Sequence, residues 1–315
     1  MKEEAQHIER SSDLGFAANA IIAGAAKCGT TALLDLLAQH PEVCASRIKE
    51  PRFYCSDEGF LESSGRAATG PISSGQFSKG ISWYESLFEC PDHRQKCCIE
   101  ATTPYISSES CPDLLDAHAP DCKLIFMIRE PAVRVYSHYL EEAKLGVHDG
   151  FDDFEKLVAD GRPRMRYFMQ CSDYERNIMR FRANSKRPIL IVTAEALRDQ
   201  PEELMKEVLN FLELPSLEEV QFDFDTERNR QRRVKNKAMA SLITRAQFSP
   251  TLQKLSPGIR KTLHHVRNWM MSMASEELSE RDDPKRAKEA LRKQMPEALA
   301  FHQRIQNEGG IMELP

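Results

Sequence analysis

The sequence predicts a three-layer α/β sandwich around a central, mostly parallel sheet. Three observations lead there. Four short, continuous apolar runs lie between residues 19 and 195, as expected of strands covered on both faces. Segments with helical spacing separate them, the alternation that builds a parallel sheet. The first run passes through a stretch of small residues directly into an amphipathic helix, the layout of a phosphate cradle.

The elements follow in order. "NAIIAGA" (19–25) is the first strand, and Thr30–Gln39 the helix after it, with Leu33, Leu34 and Leu37 on one face and a stop at "HP". Residues 56–80, rich in Gly and Ser, read as a long loop. "KCCIEA" (96–101) is the second strand and "KLIFMIR" (123–129) the third. "PAVRVYSHYLEEAKLG" is a helix opened by Pro131 and closed by Gly146. "PILIVTAE" (188–195) is the fourth strand. In the helix that follows, "DQPEELMKEVLNFLELP", Asp199 is the expected N-cap, and Leu204, Val208, Phe211 and Leu212 share a face. Beyond residue 238 the pattern is helical and amphipathic, with 275–286 as an exposed linker and the Met-rich stripe near Trp269 as packing. The whole chain, 1–315, is expected to form one domain, with an α/β core over 18–215 and a helical C-terminal region over 216–315.

Composition narrows the function classes. With 41% hydrophobic and 29% charged residues the chain is ordinary for a globular protein. A formal net charge of −5 gives no global basic field, so nucleic acid is not an expected partner. Basic residues do gather at "ERNRQRRVKNK" (227–237), either as a solvated face or as a contact for ligand phosphates. The first 16 residues are polar, expected to be flexible, and carry no apolar leader core. The longest apolar run, "AANAIIAGAA", is about half the ~20 residues of a membrane span. A soluble, cytoplasmic protein without membrane association is expected. The nine Cys, an odd number without a C-x-x-C, point to free thiols in a reducing compartment and to no metal site.

The chemistry begins at "GAAKCGTT". An ATP-binding P-loop reads G-x-x-x-x-G-K-[ST]. Here Gly24 and Gly29 keep the spacing and Thr30 and Thr31 follow, but the Lys has moved inside the loop, to Lys27. The unpaired N–H groups of Ala26, Lys27, Cys28, Gly29, Thr30 and Thr31 at a helix start favour an anion, the hydroxyls add donors, and Lys27 adds a full charge. A nucleoside triphosphatase would need a Mg²⁺ ligand, usually an acidic residue ending another strand. "KLIFMIR" ends instead in Arg129, with Ser137 eight residues later. An Arg fork and a Ser hydroxyl suit a second phosphate. "KCCIE" ends in Glu100, a carboxylate at the edge where ligands bind.

"AGAAKCGTTALLDLLAQHPEV" and "KLIFMIREPAVRVYSHYL" together resemble the two nucleotide-binding motifs of the sulfotransferases, in the heparan-sulfate-type and bacterial branch. "IKEPRFY" (48–54) resembles that family's Lys-Glu-x-x-Phe segment, and "GISWYESLFECPDHRQKCCIEATTPYI" (80–106) its G-x-x-W-Y…[ST]-P segment. The resemblance covers roughly residues 18–215. It implies the donor 3′-phosphoadenosine 5′-phosphosulfate (PAPS), its 5′-phosphosulfate on the loop and its 3′-phosphate on Arg129 and Ser137. It implies Lys27 and Lys49 near the transferring group and Glu100 as general base, with no metal. It also suggests that Arg230, Arg233 or Lys235 approaches the nucleotide or an anionic acceptor. The expected acceptor is a hydroxyl or amino group of a small metabolite or saccharide. A trimmed Golgi lumenal domain is the alternative to a cytoplasmic enzyme. His40 and His138 are expected to be structural. A small-molecule kinase and a catalytically silent nucleotide-binding protein are the competing classes.

Overall fold

The computed structural model describes residues 17–55, 75–90, 95–144, 154–161, 163–183, 185–216, 220–224, 232–234, 275–277 and 284–314. All four expected strands form: β1 (Ala20–Ile22), and, after an unexpected β2 (Val43–Ala45), β3 (Cys97–Ala101), β4 (Lys123–Ile128) and β5 (Ile189–Thr193). Further along come β6 (Arg232–Val234), β7 (Ser275–Glu277) and β8 (Ile311–Leu314). The main sheet has the order β2-β3-β1-β4-β5-β8. Its first five strands are parallel, and β8 closes the edge antiparallel to β5. β1 and β3 are buried throughout, which is why their sequences are continuous apolar runs and not alternating ones.

The helices are α1 (Thr30–Leu37), α2 (Ile81–Glu85), α3 (Cys111–His118), α4 (Pro131–Lys144), α5 (Phe154–Asp160), α6 (Pro163–Gln170), α7 (Tyr174–Met179), α8 (Ala194–Asp199), α9 (Pro201–Phe211), α10 (Lys285–Gln294) and α11 (Pro296–Asn307). α1 buries Leu33, Leu34 and Leu37 as its spacing predicted, together with Leu36. α4 and α10 share a second apolar cluster, in which Tyr136, Tyr139 and Leu140 meet Leu291 and Ala287.

Three expectations need correction. Asp199 does not cap α9. It ends α8, where its carboxylate accepts from Arg198 at 2.6 and 2.7 Å. Pro201 occupies the first turn of α9, where a missing N–H costs nothing, so the helix starts without a side-chain cap. Thr193 caps α8 instead, accepting from Ala196 N–H at 3.1 Å. The 275–286 stretch is not all linker: Ser275–Glu277 pairs antiparallel with Arg232–Val234. The C-terminal region is not purely helical either, because β8 joins the main sheet. Residues 56–74 of the expected 56–80 loop, Gly146, the helical pattern from 238 to 274 and the first 16 residues lie outside the described residues, while Phe77–Lys79 at the loop's end forms a 3-10 turn.

Candidate active site

The loop from Ala23 to Gly29 joins β1 to α1 at the carboxyl edge of the sheet. It is held down by β4: Ala23 N–H donates to Ile125 O at 2.9 Å, and Ala25 N–H and Gly24 O bond Met127 O and N–H at 2.7 Å each. Gly24 has φ +132, and a Cβ there would stand 2.7 Å from Ile106 Cγ2. Gly29, at φ +93, precedes α1, and Lys27 itself has φ +70. This winding leaves the N–H groups of Ala26, Lys27, Cys28 and Gly29 without an acceptor among the described residues. Four free N–H groups leading into a helix make an anion cradle. Thr30 is buried and Thr31 half-buried at its mouth.

Cations surround the loop. Lys49 Nζ donates to Thr31 Oγ1 at 2.6 Å, which brings the "IKEPRFY" segment onto the cradle. Arg129, one residue past β4, donates from Nη1 to Lys27 O at 3.3 Å. Its own backbone is clamped by Tyr174, whose hydroxyl donates to Arg129 O at 2.8 Å. Arg134, which the sequence did not single out, is fully buried. Its Nε donates to Ser172 Oγ at 2.6 Å, Nη1 to Ala26 O at 3.5 Å, and Nη2 to Phe168 O. Neither arginine pairs with a carboxylate among the described residues. Uncompensated positive charge beside free N–H groups is what a phosphate ester requires.

Helix α4 sets one face against this loop. Arg134, Ser137, His138 and Glu141 stand at i, i+3, i+4 and i+7, the spacing of one helical face. Arg134 reaches Ala26, and Glu141 Oε2 lies 3.3 Å from Lys27 Nζ. Ser137 sits between them, buried, and its hydroxyl makes no hydrogen bond among the described residues. His138 Nδ1 is 3.2 Å from Arg134 Nη1, and His40 Nδ1 accepts from Glu42 N–H at 3.0 Å. Both histidines therefore hold protein groups, as expected of them.

Cys28 meets the cradle through its backbone N–H, while Glu100 sits elsewhere than expected. The Cys28 thiol is buried against the core and burial pushes it up to about 12. Glu100 is wholly buried, not at the mouth of the cleft. Thr102 Oγ1 donates to its Oε2 at 2.7 Å and Tyr84 hydroxyl to its Oε1 at 3.3 Å. Burial raises it to about 7, while bonds from Thr102, Tyr105 and Tyr84 pull the other way. The half-exposed carboxylate is its neighbour Glu50, which accepts from Thr103 Oγ1 at 2.7 Å and from Arg52 Nη2 at 3.4 Å. Thr103 O packs behind Gly24, so Glu50 stands beside the cradle. The sequence signal was present: Glu50 follows Lys49 in the same motif, and exposure alone separates it from Glu100. Of the basic run, Arg230 and Lys235 lie outside the described residues, and Arg233 is placed only by its backbone, in β6 beside α4.

The family model described as "Sulfotransferase domain" matches residues 18–288. The chain belongs to the sulfotransferase family. Among the chain's relatives, mouse heparan sulfate glucosamine 3-O-sulfotransferase 5 is 31% identical over 143 residues, 45% of this chain and 36% of that protein. Mouse bifunctional heparan sulfate N-deacetylase/N-sulfotransferase 1 is 28% identical over 209 residues, 62% of this chain and 22% of that protein. The matches thus span well under half the length of these relatives. A sulfotransferase crystal structure from Alicyclobacillus acidocaldarius aligns with a TM-score of 0.54 at 22% identity, covering 68% of this chain and 87% of that one, so the fold is shared. No helix among the described residues is long and apolar enough to cross a membrane.

Proposed function

We propose that the protein transfers a sulfuryl group from PAPS to a hydroxyl or amino group of a small metabolite or saccharide acceptor. The observation that carries this is the set of four cations, Lys27, Lys49, Arg129 and Arg134, around one loop of free N–H groups, with Arg129 and Arg134 lacking a carboxylate partner among the described residues. The cradle of Ala26–Thr31 takes the 5′-phosphosulfate. Arg129 and Ser137 take the 3′-phosphate, and β6, which carries Arg233, packs beside α4. The relatives act, by name, on heparan sulfate, which favours a saccharide among the acceptors.

In sulfuryl transfer, negative charge grows on the bridging oxygen and the departing 5′-phosphate. Lys27 inside the loop answers that charge, and Lys49, held by Thr31, supports it from the far side. With Arg129 where a Mg²⁺ ligand would stand in a kinase, protein cations carry the neutralisation. The acceptor's proton needs a carboxylate it can touch. Glu50 meets that need, being half-exposed beside Lys49, while Glu100 lies beneath it and tunes the pocket through Thr102. For the cellular setting we place the enzyme in the cytoplasm, with a lumenal Golgi domain as the alternative. The nine cysteines, all free thiols, support the former.

Thermal stabilisation decides between donor classes, since a ligand raises the melting point only of what it binds. Adenosine 3′,5′-bisphosphate is expected to stabilise the protein and Mg-ATP not to. The reverse result would overturn the sulfotransferase reading in favour of a kinase. Transfer of label from PAPS to an acceptor panel separates an enzyme from a silent binder.

A further inference from the structure

Three cysteine sulfurs meet at the outer edge of the sheet, away from the cradle. Cys44 is the middle residue of β2, and Cys98 its register partner in β3. Cys90 follows α2 and folds back so that its Sγ lies 3.7 Å from Cys98 Sγ. All three sulfurs lie within 4.8 Å of one another. Among the described residues no other group of three His, Cys, Asp or Glu ligand atoms converges in this way. Cys44 and Cys98 are buried and Cys90 is half-buried.

We propose that Cys44, Cys90 and Cys98 bind one Zn²⁺ ion as a structural site with a water as fourth ligand. The spacing fits. A tetrahedral zinc with Zn–S bonds of about 2.3 Å has sulfur–sulfur edges of about 3.8 Å, and the Cys90–Cys98 edge is already 3.7 Å. The other edges need closing by no more than about an ångström to reach that geometry. Binding balances as three thiols and one water taking up Zn²⁺ and releasing three protons, which leaves a site of net charge −1.

The sequence conceals the site because its ligands come from three separate segments with no C-x-x-C spacing. The site would act on position, not chemistry. Arg47 N–H already bonds Leu87 O at 2.8 Å, joining the end of β2 to the segment before Cys90. A metal there would fasten the base of the segment that carries Lys49 and Glu50.

The full chain, purified without chelators, is expected to hold about one zinc per chain by elemental analysis. Cys44→Ser or Cys90→Ser should lower that content about tenfold or more, while Cys111→Ser leaves it unchanged. In the wild-type protein, zinc should protect Cys44, Cys90 and Cys98 from alkylation mapped by mass spectrometry, and Co²⁺ should give a thiolate charge-transfer band. The mapping holds even where a variant fails to fold. No stoichiometric zinc and no protection of these three thiols would overturn the proposal, as would a Cys90–Cys98 disulfide whose reduced form takes up no zinc.

Discussion

Lys27 Nζ stands 3.3 Å from Glu141 Oε2, so the lysine expected at the transferring group is held by a carboxylate of α4. Both side chains are about a third exposed or more, and such a pair is worth about 1 kcal/mol or less. A phosphosulfate bound there as proposed, with more charge and the free N–H groups around it, would outcompete one carboxylate at that cost.

Removing the competitor should therefore tighten donor binding. Glu141→Gln is expected to lower the Kd for adenosine 3′,5′-bisphosphate about two- to fivefold, the equivalent of up to about 1 kcal/mol. Calorimetric titration at low salt measures it. An unchanged or weaker Kd would show that Lys27 does not leave Glu141 to meet the donor.

The two carboxylates are separable by kinetics. Glu50→Gln is expected to keep bisphosphate affinity and lose about 10²- to 10⁴-fold in kcat, the usual contribution of a general base. Glu100→Gln, with no exposed oxygen to lose, should keep most of the rate. Intact transfer in Glu50→Gln with a loss in Glu100→Gln would return the role to Glu100.

Stability should carry the signature of Glu100. Its folded value of about 7 lies above the ordinary 4.5 because burial disfavours the charged form. Between those two values the folded protein holds a proton that the unfolded chain has lost. The contribution is fully present below about 4.5 and disappears as pH rises through about 7. Urea unfolding across that window is expected to show wild-type stability falling by a few kcal/mol more than that of Glu100→Gln. Parallel curves for the two proteins would mean that Glu100 does not titrate in this range.

Arg134 acts through its fork. It bonds Ser172, Phe168 and Ala26 at once, and a lysine cannot reproduce three directions from one nitrogen. Arg134→Lys is expected to keep the charge yet weaken bisphosphate binding about tenfold, about 1.4 kcal/mol, with a lower melting point. Full affinity in that variant would reduce Arg134 to a source of charge.

The sequence determined the parts that depend on local pattern. Continuous apolar runs marked β1, β3, β4 and β5, because strands buried on both faces admit nothing else. The Gly24 and Gly29 spacing marked the cradle, because only glycine tolerates φ values of +132 and +93 beside packed side chains. Three-residue β2 and four-residue β8 carried too little pattern to be seen, and their pairing comes from neighbours distant in the chain.

The tertiary structure decided what depends on who meets whom. Glu50 and Glu100 are both carboxylates in expected motifs, and only the packing of Tyr84 and Thr102 over Glu100 closes it off. Arg134 carries no signal of its own in the sequence, and it is Ser172 and Phe168, from other elements, that hold it buried beside the cradle. Cys44, Cys90 and Cys98 are unrelated in sequence and converge through strand register and one turn of chain. Period and spacing act over a few residues and so are written in the sequence. Burial, ion pairing and ligand convergence arise between segments tens of residues apart, and only the folded chain brings those together.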